Sequence, residues 1–210
     1  MSAAPIAIFP RLLSSTSRDA IFERLLGSAD RFDIGSTTIG VRTDGRRTSV
    51  LADVAGALGP EVTRTFARAL ADAFRRARPQ LGLPPLTVRE VELQASVYLD
   101  GGFYQPHRDI GPNNTRRVTW VYYLHRAPKR FSGGELILYD TDLEHDGCYD
   151  SNASQRCEPV DNQLIFFPSE YFHEVCATYC PSGDFADARF TLNGWFHTDD
   201  APRTAAEGAR

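Results

Sequence analysis

The chain has 210 residues, 42% of them hydrophobic, which is enough to build a domain with a sizeable buried core. Its formal charge of -4 argues against the broad basic face that a nucleic-acid partner requires. No window approaches the roughly 20 apolar residues that cross a bilayer, and MSAAPIAIFPRLL has no basic leader before an apolar core, so a cytoplasmic protein without a membrane partner is expected.

In chain order, Thr16 and Asp19 read as a capping pair before IFERLL, where Ile21, Phe22, Leu25 and Leu26 form an apolar stripe and Gly27 can end a short helix. A longer helix is expected from about Pro60 to Arg78. Val62, Phe66, Leu70 and Phe74 recur every four residues there, and Pro79 follows the last basic turn. Arg64, Arg68, Arg75, Arg76 and Arg78 occupy its other face, which reads as a solvated surface in preference to a docking patch.

After LGLPPL the period changes. Val91, Leu93, Ala95, Val97 and Leu99 alternate with Glu92, Gln94, Ser96 and Tyr98, the two-residue repeat of a strand with unlike faces. Asp100-Gly101-Gly102 fits a turn, Gly133-Gly134 breaks the next hairpin, and short strands follow to the end, which suggests a jelly roll closed over a cavity. The polar face of the Val91 to Leu99 strand should then line that cavity. The organisation expected is a single mainly β domain over residues 1–198, with helical support over about 1–85 and a jelly-roll core over about 86–198. DDAPRTAAEGAR, residues 199–210, lacks apolar residues able to pack and is expected to stay disordered.

The chemistry is carried by an H-R-D tripeptide, His107 to Asp109, with His173 a further 64 residues on and Arg189 16 beyond that. A strand sends alternate side chains to one face, so His107 and Asp109 should aim at a common point that a second strand can supply with His173. Two imidazoles and one carboxylate on a triangular face, with the opposite face open, is the ligand set of non-haem Fe(II) oxygenases. His125, His145 and His197 read as surface or hydrogen-bonded histidines. Arg189, Thr191, Asn193 and Trp195 share one strand face, opposite Phe190, Leu192 and Phe196, and an arginine inside a polar barrel needs an anionic partner that its planar fork can match.

The blocks LQASVYLDGGFYQPHRD, RRVTWVYYLHR, FSGGELILYD, DNQLIFFPSEYFHEV and ARFTLNGWF, about residues 92 to 197, resemble the Fe(II)/2-oxoglutarate dioxygenases, in particular their prolyl 4-hydroxylase-like branch. The resemblance implies a double-stranded β-helix and iron on His107, Asp109 and His173. It also implies that the distal carboxylate of 2-oxoglutarate sits on Arg189, and that Tyr98 and Tyr123 are active-site tyrosines. Fe(II) and the cosubstrate 2-oxoglutarate are the implied cofactors, with ascorbate a candidate reductant. The implied reaction is hydroxylation of an unactivated C–H in an amino acid, peptide or protein, prolyl favoured, with release of succinate and CO2. Arg189 departs from the family spacing, which usually places the basic residue about ten positions after the distal histidine. The competing reading is a metal-binding jelly roll without catalysis, a sensor or structural module, which has no use for Arg189. Halogenation is disfavoured because Asp109 occupies the position that halide needs.

Two further features are read from spacing. The segment from Asp140 to Asp161 is long for a hairpin connection and is a candidate lid or recognition loop. Cys148, Cys157, Cys176 and Cys180 are too irregular for a disulfide scaffold. Unpaired thiols are favoured over a zinc site or a disulfide.

Overall fold

The computed structural model describes residues 1–34, 48–51, 53–110, 115–144 and 148–199. The elements in order are β1 (Ala7–Phe9), α1 (Ser15–Leu26), β2 (Phe32–Ile34), β3 (Thr48–Leu51), α2 (Val54–Leu58), α3 (Pro60–Gln80), β4 (Val88–Tyr98) and β5 (Tyr104–His107). Then follow β6 (Arg116–Leu124), β7 (Ser132–Gly133), β8 (Leu136–Asp142), β9 (Cys148–Cys157), β10 (Leu164–Pro168), β11 (His173–Val175), β12 (Thr178–Tyr179) and β13 (Arg189–Thr198). A seven-stranded sheet runs β1-β10-β6-β13-β4-β3-β2, a four-stranded sheet runs β5-β11-β8-β9, and β12 pairs with β7. The strand pairs are antiparallel, and the chain builds the double-stranded β-helix expected of it.

Strand alternation divides the large sheet into two faces. On β6, Val118, Trp120, Tyr122 and Leu124 join Phe190, Leu192 and Phe196 of β13 in a core completed by Ile21, Phe22 and Leu25 of α1 and Phe66, Leu70 and Phe74 of α3. Phe74 stacks on Phe196 with centroids 4.2 Å apart, and Phe66 tilts against Trp120 and Tyr122. The helices therefore cover the outer face of this sheet, and their apolar stripes are satisfied by it. The residues of opposite parity, including Thr119, Tyr123, Arg189, Thr191 and Ser96, face the other way, toward the small sheet.

Several local expectations are corrected. The cap of α1 is Ser14, whose side chain accepts from Ser17 N–H, so Thr16 and Asp19 lie inside the helix. Both side chains are downstream of the point where the free N–H groups begin. α3 continues past Pro79 to Gln80: once the N–H of a residue so near the end is lost, Leu81 N–H still closes the turn on Ala77 O. Arg64, Arg68, Arg75 and Arg76 are exposed, in keeping with a solvated face.

The first half of the chain is not helical support alone, since β1, β2 and β3 all pair into the large sheet. The supposed lid is mostly strand: β9 covers Cys148–Cys157 and pairs with β8 as the edge of the small sheet, with a register shift between Tyr139 and Asp140. SNASQR is polar on both faces, so no hydrophobic alternation marks the strand although its burial alternates. His145 and the tail from residue 200 lie outside the described residues.

Candidate metal centre

The two imidazoles meet because β11 pairs with β5 and places His173 directly opposite His107. Their ring centroids are 4.2 Å apart. Asp109 is not on the strand: β5 ends at His107, and the carboxylate is brought back by a backbone bond from Asp109 N–H to Ser169 O at 3.1 Å. His107 Nε2 lies 3.6 Å from Asp109 Oδ1, and His173 Nε2 lies 3.4 Å from Asp109 Oδ2. Ligand atoms of the three residues all fall within 4.8 Å of one another, the only such cluster of His, Cys, Asp or Glu among the described residues.

Both rings are turned by the backbone. His107 Nδ1–H donates to Gln105 O at 2.8 Å and His173 Nδ1–H to Tyr171 O at 3.1 Å. That leaves each Nε2 with its lone pair toward the common point, the tautomer a metal requires. Burial, and then the neighbouring His173, lower the pKa of His107 and favour the neutral ring. For Asp109, burial opposes ionisation, but the two adjacent imidazoles outweigh it and hold the carboxyl well below its usual range. Thr119 Oγ1 donates to Asp109 Oδ2 at 2.7 Å. Two neutral nitrogens and an anionic oxygen converging in this way fit a divalent first-row metal.

On the inner face of the large sheet, at the start of β13, Arg189 is 1% exposed. Its Nε donates to Gly134 O at 2.7 Å, and its guanidinium lies over the rings of Tyr98 and Tyr123, 4.6 and 5.0 Å from their centroids. The register explains the meeting: Arg189 pairs with Tyr98 of β4, and Thr191 with Tyr123 of β6. Among the described residues, Arg189 Nη1, Tyr123 Oη and Thr178 Oγ1 are buried without a hydrogen-bond partner. Burial pushes the Tyr123 phenol up in pKa, so it stays a donor. Leaving a donor unpaired in the interior costs about 1–3 kcal/mol, so such a group of donors beside a cation is suited to receive a carboxylate. The unusual spacing between His173 and Arg189 is taken up by β12 and a short 3-10 turn at Phe185–Asp187, and it does not displace Arg189 from the strand.

Sequence reasoning gave no site role to Thr178, Gly134, Thr119 and Ser169, which are far apart in the chain. Gly134 has φ +71, and a Cβ there would stand 2.6 Å from Arg189 Cδ and 2.9 Å from Thr178 Oγ1. Gly134→Ala is therefore expected to weaken 2-oxoglutarate binding about tenfold or more while leaving metal affinity near its original value, because it displaces the guanidinium without deleting a polar group. Calorimetry of the metal-loaded protein checks this. Unchanged cosubstrate affinity would show that Arg189 can give way.

Two further histidines are hydrogen-bonded, as expected of them. His197 bonds Thr115 and Glu92, and His125 Nδ1 bonds Arg126 O. All four cysteines are free thiols. Arg116 is engaged by Glu92 and stacks over Trp195.

Residues 93–197 match the family model of the 2OG-Fe(II) oxygenase superfamily. An uncharacterized PKHD-type hydroxylase of Synechocystis is 46% identical over 118 residues, covering 55% of this chain and 39% of that protein. Prolyl 3-hydroxylase sudestada1 of Drosophila melanogaster is 30% identical over 145 residues, covering 65% of this chain and 25% of its own length. The chain thus spans well under half the length of these curated relatives. Among solved structures, a prolyl hydroxylase of Trichoplax adhaerens, in complex with a hypoxia inducible factor peptide, superposes with a TM-score of 0.68 at 19% identity, covering 98% of this chain and 88% of that one. A Pseudomonas putida prolyl-4-hydroxylase gives 0.66 at 21%, covering 93% of each. At these identities the structural likeness speaks for the fold.

Proposed function

Since the chain belongs to the 2OG-Fe(II) oxygenase superfamily, we propose that it is a hydroxylase acting on an unactivated C–H of a peptidyl side chain, with proline as the favoured target and succinate and CO2 as the by-products. The observation that carries this reading is the pairing of two features between the facing sheets. One is the His107, Asp109 and His173 cluster; the other is the buried, unsatisfied donor group of Arg189 and Tyr123. A metal-binding sensor or structural module would need the first and not the second. The prolyl target is supported by the Drosophila relative, which is named a prolyl 3-hydroxylase.

In this reading His107 and His173 offer their Nε2 atoms and Asp109 a carboxylate oxygen to Fe(II). Arg189 clamps the far carboxylate of 2-oxoglutarate with Tyr123 donating beside it, and Tyr98 packs on the guanidinium. Bound iron with 2-oxoglutarate and dioxygen supplies the oxidising power for C–H hydroxylation. The protein's own contribution is position and dryness: Arg189 and Tyr123 orient the cosubstrate, and Ile165, Phe167 and Leu138 pack the space between the sheets. Neither a nucleophile nor a general acid is called for.

The test is to incubate anaerobically purified protein with Fe(II), 2-oxoglutarate and oxygen against a panel of proline-containing peptides and free amino acids. Succinate release together with a mass gain of one oxygen on a proline is expected, and both should vanish in Asp109→Ala. An oxidised lipid, sugar or nucleobase would replace the substrate class. Metal and 2-oxoglutarate binding with no succinate under any condition would favour the sensor.

A further inference from the structure

We infer that Thr119, steadied by Ser169, is a positioning residue that holds Asp109 to coordination through one oxygen and so keeps open the metal position that dioxygen needs. The inference rests on the assignment of His107, Asp109 and His173 as ligands.

Thr119 Oγ1 donates to Asp109 Oδ2 at 2.7 Å and lies 3.0 Å from Ser169 Oγ. A hydroxyl has a single hydrogen, so with that of Thr119 spent on the carboxylate, Ser169 must donate to Thr119. The result is a one-way chain from Ser169 through Thr119 to Asp109. Thr119 is 4% exposed and Ser169 is 0% exposed, so water has little access to replace either hydroxyl.

The backbone holds the same three residues together. Asp109 N–H donates to Ser169 O, and Ser169 N–H donates to Arg117 O, which ties the loop carrying Asp109 to the end of β10 and the start of β6. Thr119 itself sits within β6, paired to Trp195 on one side and Phe167 on the other, so its side chain is anchored by the large sheet. A short charge-assisted bond to one carboxylate oxygen resists rotation of that group about its terminal torsion.

The consequence follows from counting positions. An octahedral ion that takes three protein donors and a cosubstrate through two oxygens has a single position left. A carboxylate free to rotate could chelate through its second oxygen and fill that position. Thr119 holds Oδ2 and so fixes the rotation of the carboxylate, with Oδ1 3.6 Å from His107 Nε2 and Oδ2 3.4 Å from His173 Nε2, which keeps the second oxygen from turning into that position.

The experiment uses Thr119→Val, which keeps the shape and removes the donor, Thr119→Ser, which restores the donor, and Ser169→Ala. Each protein is loaded with Fe(II) and 2-oxoglutarate without oxygen and titrated with nitric oxide, whose complex is read by electron paramagnetic resonance as a probe of the last position. Co(II) affinity and the Co(II) absorption spectrum are recorded in parallel. For Thr119→Val, nitric oxide affinity of the metal-loaded protein is expected to fall about tenfold and Co(II) affinity by no more than the roughly 10- to 100-fold of an outer partner's loss, with the Co(II) spectrum altered. Thr119→Ser should return the nitric oxide affinity to near the original, and Ser169→Ala should show a smaller loss in the same direction.

Unchanged nitric oxide affinity and Co(II) spectrum in Thr119→Val would overturn the inference, as would a loss of metal binding that shows the hydroxyl to be merely structural. If Thr119→Val does not fold, Ser169→Ala decides, since an unchanged nitric oxide affinity there removes the chain of donors. Failure of the unsubstituted protein to bind Co(II) would overturn the ligand assignment itself, a result distinct from either.

Discussion

Asp109→Ala is expected to abolish turnover and to weaken Fe(II) binding by more than the roughly 10- to 100-fold that follows loss of an outer partner of a metal ligand. The carboxylate is the only anion in the cluster, and it touches both imidazoles, at 3.6 and 3.4 Å. Without it, two neutral nitrogens remain with no charge to neutralise the metal, and the triangular face is lost. His173→Ala should behave alike, because His173 is 5% exposed and is fixed opposite His107 by strand pairing. Equilibrium titration with Fe(II), beside circular dichroism to establish folding, makes the measurement. A folded Asp109→Ala protein with near-normal activity would remove the metal-centre assignment.

Arg189→Ala should separate cosubstrate from metal. The arginine is 1% exposed and its Nη1 lacks a protein partner among the described residues, so a bound carboxylate there exchanges a charge-assisted pair for nothing when the side chain is removed. The cost is on the order of 2–5 kcal/mol, part of it from the carboxylate left buried and unpaired. That corresponds to a rise of about 30-fold or more in the 2-oxoglutarate concentration giving half-maximal rate, since about 1.4 kcal/mol is a factor of ten. Fe(II) affinity should move little, because Arg189 is not among the three clustered ligand residues. An unchanged cosubstrate dependence would place the anchor elsewhere. Arg116 is a poor substitute, being held by Glu92 with bonds of 2.9 to 3.2 Å.

What the chain alone determined are the features whose signal is local and periodic. The four-residue recurrence in α3, the two-residue alternation in β4 and the parity of Arg189 against Phe190 depend on neighbours a few positions apart, and a helix or strand with one buried face writes them directly into the order of residues. The ligands were legible for a similar reason, since few chemistries need two histidines and a carboxylate together. The tertiary structure alone decided what depends on distant pairing. Asp109 reaches the imidazoles through Ser169, 60 residues away in sequence, and not through an i, i+2 strand geometry. β1, β2 and β3 find their place by pairing with the large sheet, and β9 became an edge strand whose residues are polar on both faces, which left no hydrophobic alternation to read. The cradle of Gly134, Thr178 and Tyr123 around Arg189 joins separate strands through backbone hydrogen bonds and close approach. The strand pairing behind it is made by backbone groups that every residue carries, and so it leaves little trace in residue type.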